Sequence, residues 1–433
     1  MKVDLLVHGC TLIPKVGMGF IEDGLVAVKD RKIAFVGRRT SAPHFDAEVD
    51  INARGKVAVP GLINCHTHLP MTLFRGLAED KPLDSWLKKT IWPLESKLKS
   101  GDVYDGALLG CLEIIKSGTT CFADMYFHED LVAKATKESG LRAVLAEGII
   151  GLGKGLLDCV MLKRSVAFAR RFNKSSDGRV NVMLGPHSVY SCSRGLLEKV
   201  GEEASKLGIG IHMHLAESKS MLTKCKLPGL SEVEFLDKMG FFKGHVLAAH
   251  CINLSAKDQH ILASRGVKVA YVPVANMKLG LGAAKVADLL GNGVCVGFGT
   301  DGPASNNTLD MFETMKTGAL LQKHAYRNPR VIPAYEVLRM ATIDGARALG
   351  LENEVGSLEV GKKADIVLID FSKPHLKPLH DIHASIVYSA HGSDVDTVIV
   401  DGRILMQNRQ IKTLNEQAVI DKAEKTAFRL ASR

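Results

Sequence analysis

Histidine and acidic side chains recur at the ends of five apolar runs in this chain. They are His66 and His68, His187, His212 with His214 and Glu217, His250, and Asp301. Imidazole nitrogens and carboxylate oxygens are ligands that suit Zn²⁺ or a similar divalent ion, which activates water for hydrolysis. One histidine at a strand end usually belongs to the core or its rim, but five such ends together predict a metal site.

The spacing of these residues narrows the ligand set. Residues two apart on a strand point to the same side, so His66 and His68 can bind one ion together. Between His212 and His214 we choose His214, because it lies at the lip of its strand, and we expect His212 to fill the interior. Asp301 follows an apolar run and fits either a loop cap or a carboxylate that takes a proton from the attacking water.

Eight apolar runs alternate with amphipathic segments and are the elements that must position these residues. The runs are Val57–His68, Thr119–Tyr126, Arg142–Ile149, Val180–Tyr190, Ile209–Glu217, His245–Cys251, Lys268–Asn276 and Val294–Gly302. The intervening segments carry the apolar spacing of helices. Strands buried on both faces have this composition, and eight strand–helix units predict a (β/α)8 barrel with its active site at the carboxyl ends of the strands. An open doubly wound sheet would need a glycine-rich phosphate loop where His66 and His68 stand.

The two ends of the chain differ from this middle, because both contain short strands separated by turn residues. We therefore predict an α/β protein in which residues 60–361 form the barrel. Residues 1–59 and 362–433 together would form a small β-sandwich domain, with a terminal helix.

Composition excludes several classes of protein. The 433 residues include 46% hydrophobic and 24% charged residues, which are globular values. No apolar run reaches the roughly 18–20 residues of a membrane span, and no secretory signal is recognisable. The net charge of +9 is spread along the chain rather than concentrated in a basic stripe, so nothing indicates nucleic-acid binding. Nine cysteines without paired spacing indicate reduced thiols and a cytoplasmic location.

Over nearly its whole length the sequence resembles the amidohydrolase superfamily, and within it the 5′-methylthioadenosine/S-adenosylhomocysteine deaminases. The shared motifs are PGLINCHTHLPMTLFRG (60–76), WPLE (92–95), DMYFH (124–128), GPHS (185–188), HLAE (214–217), AHC (249–251), GTDG (299–302), SNN (305–307) and GKKAD (361–365). The start of the first motif is common to the superfamily. Its continuation, together with MYFH and the run TDGPASNN from Thr300, is more specific to this branch.

The resemblance implies a metal-dependent deaminase and assigns roles residue by residue. The metal ligands would be His66, His68, His214 and Asp301. Glu217 corresponds to the acid that moves protons to the purine ring, and His250 to the histidine that orients the attacking water. The ion would be Zn²⁺, although Fe²⁺ and Mn²⁺ accept the same ligands. The family also implies a homo-oligomer.

Three further positions correspond to the substrate site of that family. Glu95 matches the acid that holds the ribose hydroxyls, and His187 matches a substrate-binding histidine. Trp86 would wall the nucleoside pocket, although a tryptophan on an amphipathic segment also fits the core. The implied reaction removes ammonia from C6 of 5′-deoxyadenosine, 5′-methylthioadenosine, S-adenosylhomocysteine or adenosine.

One departure from the family pattern concerns the 5′ substituent. Members that bind S-adenosylhomocysteine carry an arginine near the end of the third strand, where this chain has Glu147, and a second in the following loop, where only Lys154 is available. An acid in place of an arginine loses a bidentate pair with a carboxylate and adds repulsion. We therefore expect a neutral 5′ group to be preferred.

Two other functions fit the same sequence. A related hydrolase would act on guanine, another aminated heterocycle or a chlorinated triazine, but Glu95 favours a nucleoside. A catalytically silent barrel that serves as a structural or partner-binding protein would be expected to lack one or more of six site residues. All six are present: His66, His68, His214, Glu217, His250 and Asp301.

Overall fold

The computed structural model describes residues 1–151, 155–222, 227 and 229–432. The chain begins with five strands that form part of a mixed sheet. They are β1 (Lys2–Leu12), β2 (Ile21–Lys29), β3 (Lys32–Arg38), β4 (Asp46–Asn52) and β5 (Lys56–Pro60). In β1 the side chains of Val3, Leu5 and Val7 are buried and alternate with more exposed ones, as expected where a sheet covers the core with one face.

In the middle of the chain the described residues contain nine parallel strands, and almost all of the residues in these strands are buried. They are β6 (Leu62–Thr67), β7 (Thr119–Tyr126), β8 (Arg142–Ile149), β9 (Val180–Val182), β10 (Gly185–Pro186), β11 (Ile211–Leu215), β12 (Val246–His250), β13 (Lys268–Tyr271) and β14 (Val296–Phe298). They form two sheets, one in the order β6-β7-β8 with β9 and β10 both beside β8, and one in the order β11-β12-β13-β14.

Backbone contacts join the two sheets at both edges. Leu184 pairs with Ile211 on one side, and on the other the N–H of Asp301 donates to the carbonyl of His66 at 2.9 Å. This strand order confirms the predicted (β/α)8 arrangement. The fourth predicted run is divided into β9 and β10, so that His187 directly follows β10.

Sixteen α-helices are present in the described part of the chain. They are α1 (Leu83–Trp86), α2 (Trp92–Glu95), α3 (Ser100–Lys116), α4 (Glu129–Ser139), α5 (Leu156–Phe172), α6 (Arg194–Leu207), α7 (Lys219–Leu222), α8 (Glu232–Lys238), α9 (Ala256–Ser264), α10 (Pro273–Lys278), α11 (Val286–Gly291), α12 (Met311–Tyr326), α13 (Ala334–Met340), α14 (Ile343–Ala348), α15 (Ile382–Ala384) and α16 (Glu416–Ala431). Side chains of Ser193, Ser231 and Ser255 cap α6, α8 and α9. Within the described residues, none of these helices has the length and apolarity needed to cross a bilayer.

The last strands return to the first sheet. They are β15 (Ile366–Asp370), β16 (Val395–Val400), β17 (Arg403–Gln407) and β18 (Gln410–Ile411), and β15 pairs antiparallel with β5. A buried bidentate ion pair between Arg142 of β8 and Asp365 connects this sheet to the barrel. The terminal helix α16 lies against α3, where Thr426 donates to Asp105 at 2.9 Å. The division of the chain at residues 59 and 361 stays a prediction.

Candidate active site

The four predicted ligands, His66, His68, His214 and Asp301, come together at the carboxyl ends of their strands. The possible ligand atoms of His66, His68 and His214 lie within 4.8 Å of one another, and so do those of His66, His250 and Asp301. Nε2 of His68 is 3.3 Å from Nε2 of His214 and 3.2 Å from Oδ1 of Asp301. Residues as far apart in sequence as His66 and Asp301 therefore form one cluster.

Hydrogen bonds on the far side of each ring orient this cluster. Nδ1–H of His68 donates to the carbonyl of Met125 at 2.6 Å, and Nδ1–H of His214 donates to the carbonyl of His187 at 2.8 Å. Nδ1 of His66 is 2.8 Å from Nε2 of His212. Such contacts fix ring orientation and leave the Nε2 lone pair for a metal ion. His212 is fully buried, as predicted, and it also contacts His66, one of the predicted ligands.

Unusual backbone conformations bring the ends of β14 and β12 to this point. Asp301 and His250 have positive φ values of 65° and 72°, which a non-glycine residue adopts only where its surroundings hold it. Glycine at position 299 allows the close approach, because a Cβ there would lie 2.8 Å from Cβ of His66. A Cβ at Gly302 would similarly meet His68 at 3.0 Å.

Burial controls the protonation of the cluster. It holds the pKa values of His66 and His214 well below the usual range, with further lowering by the neighbouring histidines. Burial also opposes a charge on His68, but the hydrogen bond and the charge of Asp301 raise its pKa to about 9. The neutral imidazoles of His66 and His214, beside the ionised carboxylate of Asp301, form a donor set that attracts a cation. Nε2 of His66, which is buried without a hydrogen-bond partner in the described part of the chain, fits the same ligand role.

Glu217 and His250 lie beside this cluster. Oε1 of Glu217 is 3.7 Å from Nε2 of His250. Burial raises the pKa of Glu217, and the charges and hydrogen bonds around it, including one with the hydroxyl of Tyr190, only partly offset this effect. A carboxyl group with a raised pKa can hold a proton nearer to neutral pH and donate it during a reaction. The contribution of Tyr190 was not predicted, although it lies only three residues after His187.

A cavity opens above the cluster. Eight of the predicted site residues line it, namely His68, Trp86, Glu95, His187, His214, Glu217, His250 and Asp301. His66 lies beneath it, fully buried. Its other walls are largely apolar and include Leu83, Leu87, Ile91 and Trp92 from the segment that contains α1 and α2. The sequence predicted Trp86 and Glu95 here, but it did not indicate that the whole segment covers the cavity.

The side chain of Glu147 lies outside this cavity. Its carboxylate accepts the backbone N–H of Glu129 at 2.8 Å at the start of α4 and pairs with Arg164 of α5 at 2.8 Å. Among the described residues, the lining of the cavity includes its neighbour Gly148 but not Glu147 itself. The carboxylate therefore caps a helix and neutralises an arginine, while Lys154 lies outside the described residues.

A parallel barrel with a histidine and aspartate cluster at the carboxyl ends of its strands defines a metal-dependent hydrolase. Comparison with known proteins agrees with this class. The model of the amidohydrolase family matches residues 57–405, and the chain belongs to that family.

Two curated relatives match almost end to end. A 5-methylthioadenosine/S-adenosylhomocysteine deaminase of Desulforudis audaxviator (strain MP104C) is 49% identical over 98% of this chain and 99% of its own. A 5′-deoxyadenosine deaminase of Methanosarcina acetivorans is 48% identical over 96% of this chain and 95% of its own. Among solved structures, an adenosine deaminase from Xanthomonas campestris with bound zinc has a TM-score of 0.95 and 31% identity, and the match covers 100% of this chain and 99% of that one.

Proposed function

We propose that this chain hydrolyses the amino group from C6 of adenine nucleosides and releases ammonia and the inosine analogue. The observation that carries the proposal is one cavity that combines the histidine–aspartate cluster with Glu217 and, at another part of its wall, Glu95. Full-length relatives named as deaminases of such nucleosides support it. Incubation with a panel of adenine nucleosides and free bases, with ammonia release measured, tests it, and release from free bases alone would contradict it.

In the proposed reaction the residues around the cavity move protons. His250 and Asp301 orient a water molecule and accept its proton while its oxygen bonds to C6 of the purine. Glu217 donates a proton to the ring nitrogen beside C6, and the bond between C6 and the amino nitrogen then breaks. Of the two water protons, one ends on the ring nitrogen of the product and the other leaves with ammonia. Each such proton transfer typically contributes about 10²–10⁴ in rate.

The cluster fits a divalent cation, and amidohydrolases depend on one. We propose His66, His68, His214 and Asp301 as its ligands and Zn²⁺ as the ion, as in the solved adenosine deaminase with bound zinc. When bound, the ion supplies the Lewis acidity that makes water a nucleophile near neutral pH. Fe²⁺ and Mn²⁺ accept the same donors.

Four further proposals accompany this function. We propose that the chain acts in the cytoplasm as a homo-oligomer on small molecules rather than on nucleic acid or membranes. We also propose the domain boundaries at residues 59 and 361. Sedimentation analysis of the purified protein would measure the oligomeric state.

The walls of the cavity support a preference for a neutral 5′ group. The described lining contains apolar side chains such as Ile150 and Leu279 but no arginine or lysine. Arg164, which lies beside the predicted position, is paired with Glu147. A free carboxylate on the 5′ substituent would therefore lose its hydration without gaining a bidentate partner.

We expect kcat/KM for 5′-deoxyadenosine and 5′-methylthioadenosine to exceed that for S-adenosylhomocysteine by about tenfold or more, since one charge-assisted hydrogen bond contributes about 1.5–3 kcal/mol. Initial rates of ammonia release across the three substrates measure this ratio. Adenosine serves as the control, because it lacks both the carboxylate and the thioether. A clear advantage for S-adenosylhomocysteine would contradict the proposed preference.

Glu95→Gln should raise KM for adenine ribonucleosides by about 10–100-fold with a smaller change in kcat, since a hydrogen bond to a charged group contributes about 1.5–3 kcal/mol. Burial raises the pKa of Glu95 to about 7, although the hydroxyl of Tyr126 partly opposes this shift. The ionised form, which accepts both ribose hydroxyls, is therefore lost as pH falls through about 7.

The pH dependence of KM distinguishes ribose binding by ionised Glu95 from a general effect of the substitution. KM of the unmodified protein should rise as pH falls below 7, whereas KM of Glu95→Gln should not change over this range. Glu48→Gln, at an exposed position of β4, is the control for loss of a carboxylate. An unchanged KM in Glu95→Gln would show that Glu95 does not bind ribose.

A further inference from the structure

Asn276 is a buried amide that contacts the imidazole of His250. Its side chain is fully buried, and its Oδ1 lies 2.9 Å from Nδ1 of His250. Asn276 lies in α10, which begins at Pro273, two residues after β13 ends at Tyr271. Its backbone is fixed on both sides, because its N–H donates to the carbonyl of Val272 and its carbonyl accepts from the N–H of Leu281.

The amide of Asn276 makes its contact on one side only. Nδ2 is buried and has no hydrogen-bond partner in the described part of the chain. A leucine has nearly the same shape and would avoid the burial of an unpaired polar group, so packing alone does not account for an asparagine here. What the asparagine provides and leucine lacks is the carbonyl oxygen that faces His250.

A carbonyl oxygen beside one ring nitrogen of a histidine favours the tautomer that carries the proton on that nitrogen. A neutral imidazole has one N–H and one lone pair, and the hydrogen bond at one nitrogen fixes the state of the other. If Nδ1–H donates to Oδ1 of Asn276, the lone pair is on Nε2. Nε2 is the atom that lies 3.7 Å from Glu217, and the ring of His250 is 5.4 Å from the rings of both His66 and His214.

We propose that Asn276 is a positioning residue that holds His250 in the Nδ1–H tautomer, so that Nε2 faces the cavity as a proton acceptor. The opposite tautomer would direct an N–H into the cavity, where it cannot accept a proton from water. The catalytic part of this inference depends on the proposed deaminase function, whereas the tautomer itself does not.

The test combines a spectroscopic measurement with two substitutions at Asn276. Protein labelled with ¹⁵N in its histidine rings reports the tautomer of each imidazole through long-range couplings, and the signal that is missing in His250→Gln identifies His250 among the 16 histidines. Asn276→Leu removes the acceptor and keeps the shape, while Asn276→Asp keeps an acceptor oxygen. Gln322→Leu removes another buried amide, which donates to the hydroxyl of Tyr271, and is the matched control.

We expect Nδ1–H at His250 in the unmodified protein, Asn276→Asp and Gln322→Leu, and loss of this tautomer in Asn276→Leu. Asn276→Leu should lower kcat about 100-fold, in the range of one lost proton transfer, with KM within about threefold and metal content unchanged. Asn276→Asp should recover at least about tenfold of that loss.

Two results would overturn the proposal. One is an Nε2–H tautomer at His250 in the unmodified protein, which decides the question even if neither Asn276 variant folds. The other is equal activity of Asn276→Asp and Asn276→Leu in proteins with the same melting temperature and metal content. Nδ1–H at His250 in a protein that releases no ammonia from any adenine nucleoside would instead contradict the proposed function and support the inferred tautomer.

Discussion

Glu217→Gln is expected to lower kcat for adenine nucleosides by about 10³-fold, within the range for loss of a general acid. The carboxyl group lies 3.7 Å from His250 at the wall of the cavity, and burial raises its pKa, which favours a proton held near neutral pH. Glutamine has the same shape and can form a hydrogen bond to the purine, but it cannot transfer a proton. Rates of ammonia release at saturating substrate measure the effect.

Measurements of stability and metal content distinguish the loss of proton transfer in Glu217→Gln from a structural defect. Burial raises the pKa of Glu217 in the folded state, so its ionisation is less favourable in the folded chain than in the unfolded chain. This difference destabilises the fold at pH values above the pKa of the unfolded chain. Glu217→Gln should therefore melt at the same temperature or higher at pH 7, with its metal content intact. Glu198→Gln, at an exposed position of α6, is the control. Undiminished turnover in Glu217→Gln would exclude the proton transfer.

The cluster of histidines and Asp301 was predictable because the topology of a parallel barrel brings the carboxyl ends of its strands together. Parallel strands in a barrel present all their carboxyl ends at one pole, so apolar runs that end in histidine or aspartate must converge once the fold is recognised. His66 and Asp301 are distant in sequence, yet Nε2 of one is 3.6 Å from Oδ1 of the other. The choice of His214 over His212 also agrees with the geometry, since His214 lines the cavity and His212 contacts His66 from below.

The sequence around Glu147 did not indicate which way its side chain points from β8. Every residue of β8 is buried, so polarity does not alternate along the strand and does not indicate which side chains face the interior. The structure directs Gly148 to the cavity and Glu147 to α4 and α5. Glu147 therefore pairs with Arg164 and, among the described residues, does not line the cavity.

Two features of the site depend on the segments that connect the strands rather than on the strands themselves. One is the contact of Asn276 with His250, and the other is the covering of the cavity by the segment that contains α1 and α2. Loop conformation follows from tertiary contacts that have no periodic pattern in the sequence. Asn276 ends the predicted run Lys268–Asn276, but the strand itself ends at Tyr271 and a short helix carries Asn276 to His250. The apolar spacing of the sequence did not indicate that the chain leaves the strand at Tyr271 and enters a helix.

Removal of the divalent cation is expected to abolish measurable turnover, because Lewis-acid activation of water contributes several kcal/mol, and each 1.36 kcal/mol is tenfold in rate. Dialysis against a chelator followed by addition of Zn²⁺, Fe²⁺ or Mn²⁺ should restore it, and the relative rates would rank the ions. The melting temperature should fall on removal, since an ion at 100 times its Kd stabilises the fold by about 2.7 kcal/mol.

Substitution of a proposed ligand should make this loss permanent. Nε2 of His66 is buried without a hydrogen-bond partner among the described residues, so its loss leaves the ion with an incomplete set of donors. His66→Ala should therefore bind less metal and remain inactive when any of the three ions is added. His260→Ala, at an exposed position of α9, should retain both metal and turnover. Full turnover in protein shown to contain no metal would exclude the proposed role of the cluster.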